Sequence, residues 1–135
     1  MRTTRIFSLI LMAVACLSAY AQKVVTAKSP DGQTSVNVTL SDRIYYDVVS
    51  HNETLLKQSV IGMQLRDKTL GAKPALKKKS VRTVKETIKP LFPLKYSEVE
   101  NNYTQLTLDM KGGYAVEFRL YNDGVAWRMK TSLPG

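Results

Sequence analysis

Tyr103-Thr104-Gln105-Leu106-Thr107-Leu108-Asp109-Met110-Lys111-Gly112-Gly113-Tyr114-Ala115-Val116-Glu117-Phe118-Arg119-Leu120-Tyr121-Asn122-Asp123-Gly124-Val125-Ala126-Trp127-Arg128-Met129-Lys130 decides the fold. Leu106, Leu108 and Met110 alternate with Gln105, Thr107 and Asp109. Val116, Phe118 and Leu120 alternate in the same way, as do Val125, Trp127 and Met129. A period of two marks strands with one buried face. Lys111-Gly112-Gly113 predicts a hairpin turn, because Gly accepts positive φ. Asn122-Asp123-Gly124 predicts a second turn. The stretch therefore reads as three consecutive antiparallel strands, with Trp127 expected in the core because it shares the parity of Val125 and Met129.

Upstream, the same grammar repeats. Val24 to Lys28 is β-branched and runs into Ser29-Pro30-Asp31-Gly32, a turn by its Pro and Gly. Thr34 to Leu40 alternates, with Val36, Val38 and Leu40 on one face. Arg43 to Ser50 is a further strand, closed by His51-Asn52-Glu53. Thr54 to Lys57 and Val60 to Arg66 read as two short strands, the second with Ile61, Met63 and Leu65 together. Lys68 to Ser80 lacks periodicity, holds Gly71 and Pro74, and reads as loop. Val81 to Ile88 alternates less cleanly. Pro90 and Pro93 bar regular pairing around Leu91-Phe92. Leu94 to Val99 is a further candidate strand. No apolar 3.6 period runs for three turns. The fold class expected is all-β, an antiparallel sandwich of short strands.

Length and composition bound the function. The chain has 135 residues, 44% apolar and 23% charged, with a net charge of +9. Disorder and collagen-like repeats are excluded. A (β/α)8 barrel, which needs about 250 residues, does not fit. One Cys excludes a disulfide framework and a multi-Cys zinc site. Residues 1–21 read as a secretory signal peptide, expected helical: basic Arg2 and Arg5, an apolar run from Ile6, then Ala19-Tyr20-Ala21, with cleavage between Ala21 and Gln22. The apolar run is shorter than the about 20 residues of a membrane span. Residues 22–135 form the expected domain, periplasmic or secreted, with no membrane contact after the leader is removed. Ala13-Val14-Ala15-Cys16 offers a competing lipobox, although it lacks the usual Leu three positions before the Cys. Acylation there would make a surface lipoprotein. The chain stops just after a good strand with no closing element, so an incomplete sheet is expected.

Candidate sites are few. Lys73, Lys77, Lys78, Lys79, Arg82, Lys85 and Lys89 form a basic cluster. Without interleaved aromatics it reads as a solvated edge that resists aggregation rather than a nucleic-acid surface. His51 lies in a turn without convergent partners. Glu98 and Glu100 are adjacent carboxylates on one strand face, unlike the opposed pair of glycoside hydrolysis. No nucleophile–base pair, phosphate loop or metal motif occurs, so neither a catalytic nor a metal-ligating residue is assigned. Asn122, Asp123 and Arg128 are the candidate carbohydrate-binding residues, since Arg supplies a fixed fork of donors beside an aromatic side chain.

Ser29-Pro30-Asp31-Gly32, Tyr45-Tyr46-Asp47-Val48, Gly62-Met63-Gln64-Leu65, Asn102-Tyr103-Thr104-Gln105-Leu106 and Phe118-Arg119-Leu120-Tyr121-Asn122-Asp123-Gly124-Val125-Ala126-Trp127-Arg128 follow one another in an order and spacing that resembles the N-terminal domain of glycoside hydrolase family 97. The last motif is the most specific. Two departures stand out: Trp127 replaces a more usual Tyr or Phe, and the Lys77–Lys79 run is unusual. The resemblance covers essentially the whole chain after the leader. It implies a β-super-sandwich, here in part, from an exported α-glucosidase or α-galactosidase whose separate (β/α)8 barrel carries catalytic Glu or Asp residues. Calcium is implied for that parent enzyme, with one sandwich Glu ligand beyond residue 135 and no cofactor in this chain. The partners implied are the missing barrel and an α-linked oligosaccharide, not nucleic acid. The function expected is a non-catalytic sandwich fragment that packs on the barrel and helps form the sugar pocket. The alternative is a free-standing secreted carbohydrate-binding sandwich.

Overall fold

A computed structural model describes residues 22–92 and 95–132. The expected leader, Ala21 and Cys16 lie outside the described residues. Gln22 is exposed. Among the described residues there is no helix. The strands are β1 Lys23–Lys28, β2 Thr34–Leu40, β3 Ile44–Ser50, β4 Glu53–Ile61, β5 Met63–Gln64, β6 Thr69–Leu70, β7 Leu76–Ile88, β8 Val99–Met110, β9 Tyr114–Tyr121 and β10 Gly124–Thr131. They form two four-stranded antiparallel sheets, ordered β1-β2-β3-β4 and β10-β9-β8-β7, with a two-stranded β5-β6 pair between them in sequence. The fold is the expected all-β sandwich.

The alternation explains the packing. Val36 and Val38 of β2 share one core with Val116 and Phe118 of β9, and all four are fully buried. Leu106 and Leu108 of β8 and Leu120 of β9 are also fully buried. Tyr46 of β3 bridges the sheets, its ring 5.7 Å from that of Phe118. The turns obey their residues. Gly112 and Gly113 take φ of +98° and +77°. His51 and Asn52 both adopt left-handed φ, as the two-residue loop between β3 and β4 requires. Gly71 has φ +88°, and a Cβ there would meet the Ile61 carbonyl oxygen at 2.6 Å. That close approach brings the β5-β6 pair back against the end of β4.

Four expectations are corrected. The expected strands Thr54–Lys57 and Val60–Arg66 are divided differently: β4 is continuous from Glu53 to Ile61, with a bulge, and Met63–Gln64 form the separate β5, paired with β6. Gln58 takes φ +50° there, and its N–H donates to Asp47 Oδ1 at 2.6 Å. A bulged edge strand loses the period of two, which hid its continuity. The loop expected over Lys68–Ser80 contains β6 and the start of β7. β7 is an edge strand with most side chains on both faces exposed, so burial imposed no alternation on it. In the strand expected over Leu94–Val99, Leu94 lies outside the described residues, Lys95–Glu98 are irregular and regular pairing starts at Val99.

Trp127 has the expected inward parity but is 42% exposed, because β10 is an edge. Its indole N–H donates to the Tyr46 hydroxyl at 3.2 Å instead of entering the core. The two inner faces therefore shelter one another at the centre, and the uncovered apolar side chains lie at the flanks. They include Leu55 and Val60 on β4, and Val81 and Ile88 on β7.

Candidate functional site

The outward face of the second sheet is unlike a plain solvated surface. On β9 the outward positions are Ala115, Glu117, Arg119 and Tyr121, alternating with the buried Val116, Phe118 and Leu120. The ladder sets Arg128 of β10 opposite Glu117 on one side and Thr107 of β8 opposite it on the other. Arg119 lies opposite Gln105 of β8 and Ala126 of β10.

Glu117 is only 1% exposed although it points away from the core. Arg128 donates to its Oε1 from Nε at 2.9 Å, with Nη2 at 2.7 Å from the same oxygen. Lys130 Nζ donates to Oε2 at 3.1 Å. Arg119 Nε lies 3.6 Å from Oε1. Burial pushes the Glu117 carboxyl up, but the hydrogen bonds and charges of Lys130 and Arg128 outweigh it and hold the group below its usual range. The Arg119 guanidinium stacks on Tyr103, 4.8 Å from the ring centroid, and Tyr103 packs on Tyr121 at 5.3 Å. Arg82 Nη2 donates to Gln105 Oε1 at 3.0 Å. Glu117, Arg119, Tyr121, Ala126, Trp127 and Arg128 line a shallow hollow of about 210 Å³. This arrangement can bind through charge, donors and an aromatic face. It contains no nucleophile with an adjacent base.

The structure separates the three carbohydrate candidates. Arg128 belongs to the hollow just described. Asn122 and Asp123 sit in the β9–β10 turn and line a different depression of about 280 Å³ with Ser50, His51 and Leu55. Asn122 Oδ1 accepts from the Asp31 N–H at 3.2 Å. Asp31 in turn is fixed by the Ser29 hydroxyl at 2.5 Å, which with the Gln33 N–H keeps its carboxyl below the usual value. Glu98 pairs with Lys89 at 3.0 Å, and both are well exposed. Glu117, Arg119, Tyr103 and Tyr121 escaped sequence reading because they look like the polar side of amphipathic strands. The available signal was the density of charge and aromatic character in Glu117-x-Arg119-x-Tyr121, where Ser or Thr would serve.

Among the described residues no three His, Cys, Asp or Glu side chains converge. The buried Glu117 is already occupied by cations.

Comparison with known proteins places the fold. The sequence pattern of the family described as Glycosyl-hydrolase 97 N-terminal matches residues 27–134. The chain belongs to glycoside hydrolase family 97. This family 97 chain is 40% identical over 121 residues to the retaining alpha-galactosidase of Bacteroides thetaiotaomicron, which covers 88% of it. It spans only 18% of that enzyme's length. A beta-arabinopyranosidase crystal structure superposes with a TM-score of 0.73 at 24% identity, over 82% of this chain and 18% of that one. A family 97 enzyme from Pseudoalteromonas sp., in complex with panose, superposes with a TM-score of 0.70 at 18% identity, over 79% of this chain and 17% of that one. In the family 97 fold seen here, the Ser29–Gly32 turn and the Asn122–Gly124 turn meet through the Asp31–Asn122 bond. Two of the motifs that suggested the family are thus one structural unit.

Proposed function

We propose that this chain serves as the non-catalytic sandwich of an exported, calcium-dependent family 97 α-glycosidase. It packs against a catalytic barrel and helps wall the pocket for an α-linked oligosaccharide, while calcium is held by other residues of the enzyme. The observation that carries this reading is the family match over residues 27–134 beside a curated relative of which the chain spans 18%. The test is direct. Purified residues 22–135 are assayed on aryl α-galactosides and aryl α-glucosides, with and without a chelator. No turnover is expected, and turnover in either condition overturns the reading.

A second reading, a free-standing carbohydrate-binding sandwich, draws support from the centre of the core, where the two sheets already cover each other. Calorimetric titration with maltooligosaccharides separates the two: binding heat favours the free-standing module. Export to the periplasm or beyond is part of the proposal. Mass spectrometry of the mature N-terminus, Gln22 against an acylated Cys16, decides between release and anchoring.

A further inference from the structure

The hollow on the outward face of β9 and β10 holds more positive charge than its one carboxylate needs. One cation balances the charge of one carboxylate. Glu117 has Arg128 and Lys130 in hydrogen bonds and Arg119 at 3.6 Å. Three cations around one anion leave a net positive rim. Arg128 engages Glu117 through Nε and Nη2, which leaves the Nη1 edge of its fork out of that contact. Its side chain is 56% exposed, so that edge is reachable from solvent.

The cations are also held in place. Arg119 is stacked on Tyr103, and Arg128 is fixed by two contacts to one oxygen of a nearly inaccessible carboxylate. Side chains immobilised before binding lose less entropy when a ligand arrives. Beside them Tyr121 offers an aromatic surface, and Ala126 leaves the floor between Arg119 and Arg128 open. The volume of about 210 Å³ falls below the roughly 300 Å³ at which pockets for drug-sized ligands begin, so it suits a single ring.

We infer that this hollow binds a hexuronate residue, its carboxylate between Arg119 and Arg128 and its ring against Tyr121. Glu117 acts as a positioning residue that holds Arg128 and Lys130. The inference rests on the surface itself and needs neither a barrel nor a catalytic role for the chain, so it stands or falls separately from the hydrolase assignment.

The experiment is an amide shift titration of the full chain, as purified, with galacturonate, galactose, acetate and tetraglutamate in parallel. Galacturonate is expected to shift the amides of Glu117, Arg119, Tyr121 and Arg128, and galactose to leave them unmoved. Raising salt to about 1 M, where charges are felt over only about 3 Å, should abolish most of the effect. Arg119→Gln and Arg128→Gln should each weaken galacturonate by about tenfold, the order of one charge-assisted hydrogen bond. The wild-type shift map keeps the test valid if either variant fails to fold. Absence of shifts in these strands overturns the inference, as does equal binding of galactose. Acetate as effective as galacturonate would reduce the site to a carboxylate contact without a sugar, and tighter tetraglutamate would make the ligand an acidic polypeptide. Either result overturns it.

Discussion

Glu117 is the residue whose environment has the most to say. Its carboxyl is depressed in the folded chain, because bonds to Lys130 and Arg128 outweigh burial. A carboxyl lowered on folding contributes stability in full above its unfolded value, about 4.3, and loses it as pH falls through the folded value. Glu117→Gln should therefore cost about 1.5–3 kcal/mol near neutral pH, the range for hydrogen bonds to a charged group. The cations it frees are half exposed and can turn to water, which keeps the loss from growing larger. Urea unfolding at a series of pH values from 7 downward checks the sign: the gap between wild type and variant should be full at pH 7 and narrow as the solution is acidified below the unfolded value. Gly71 makes the opposite kind of demand. With φ +88° and a carbonyl oxygen 2.6 Å from any added Cβ, Gly71→Ala should cost about 2 kcal/mol or more, read as a lower denaturant midpoint.

The elements differ in how plainly they could be read. β2, β8, β9 and β10 were legible because one face of each is turned to the core and burial wrote the period of two into them. β2 falls on its expected bounds, Thr34 to Leu40. β4 and the Lys-rich start of β7 were not legible, because most of their side chains on both faces meet water and nothing selects alternation. The outward cluster was half legible: Arg128 drew attention by following a Trp, while Glu117 needed the cross-strand register that brings Arg128 and Lys130 to it.

β7 also carries two predictions. Its pairing with β8 continues through Ile88–Val99, but β8 meets β9 only from Thr104 onward. Val84–Ile88 and Val99–Tyr103 thus form a two-stranded ribbon beyond the sheet, and such ribbons are marginal in isolation. Hydrogen exchange at Val84–Ile88 should be faster than at Leu106–Met110, which have a strand on each side. The lysines of the same strand guard its open edge. Lys77→Val with Lys79→Val should produce concentration-dependent association in light scattering, where the parent chain shows less.

At the scale of the whole molecule, stability resides in the contact between the sheets. Phe118 is fully buried between them, and Phe118→Ala should cost about 3–5 kcal/mol in chemical unfolding. Val81, 51% exposed on the flank, should lose less than about 0.5 kcal/mol on truncation to Ala. The family was legible from turn motifs, since turns fix dihedrals and leave little freedom of residue type. The substrate was not, because recognition lives in sites placed on a fold rather than in the fold.

Among the described residues both four-stranded sheets pair strands that are neighbours in sequence, β1 to β4 in one and β7 to β10 in the other. Such meanders close short loops and form early, whereas contacts between distant segments come late. Each half can therefore zip up as it emerges, residues 23–61 before residues 76–131 exist as a sheet. What is left for the slow step is a collision: two half-made ribbons finding the one alignment in which Tyr46 seats against Phe118.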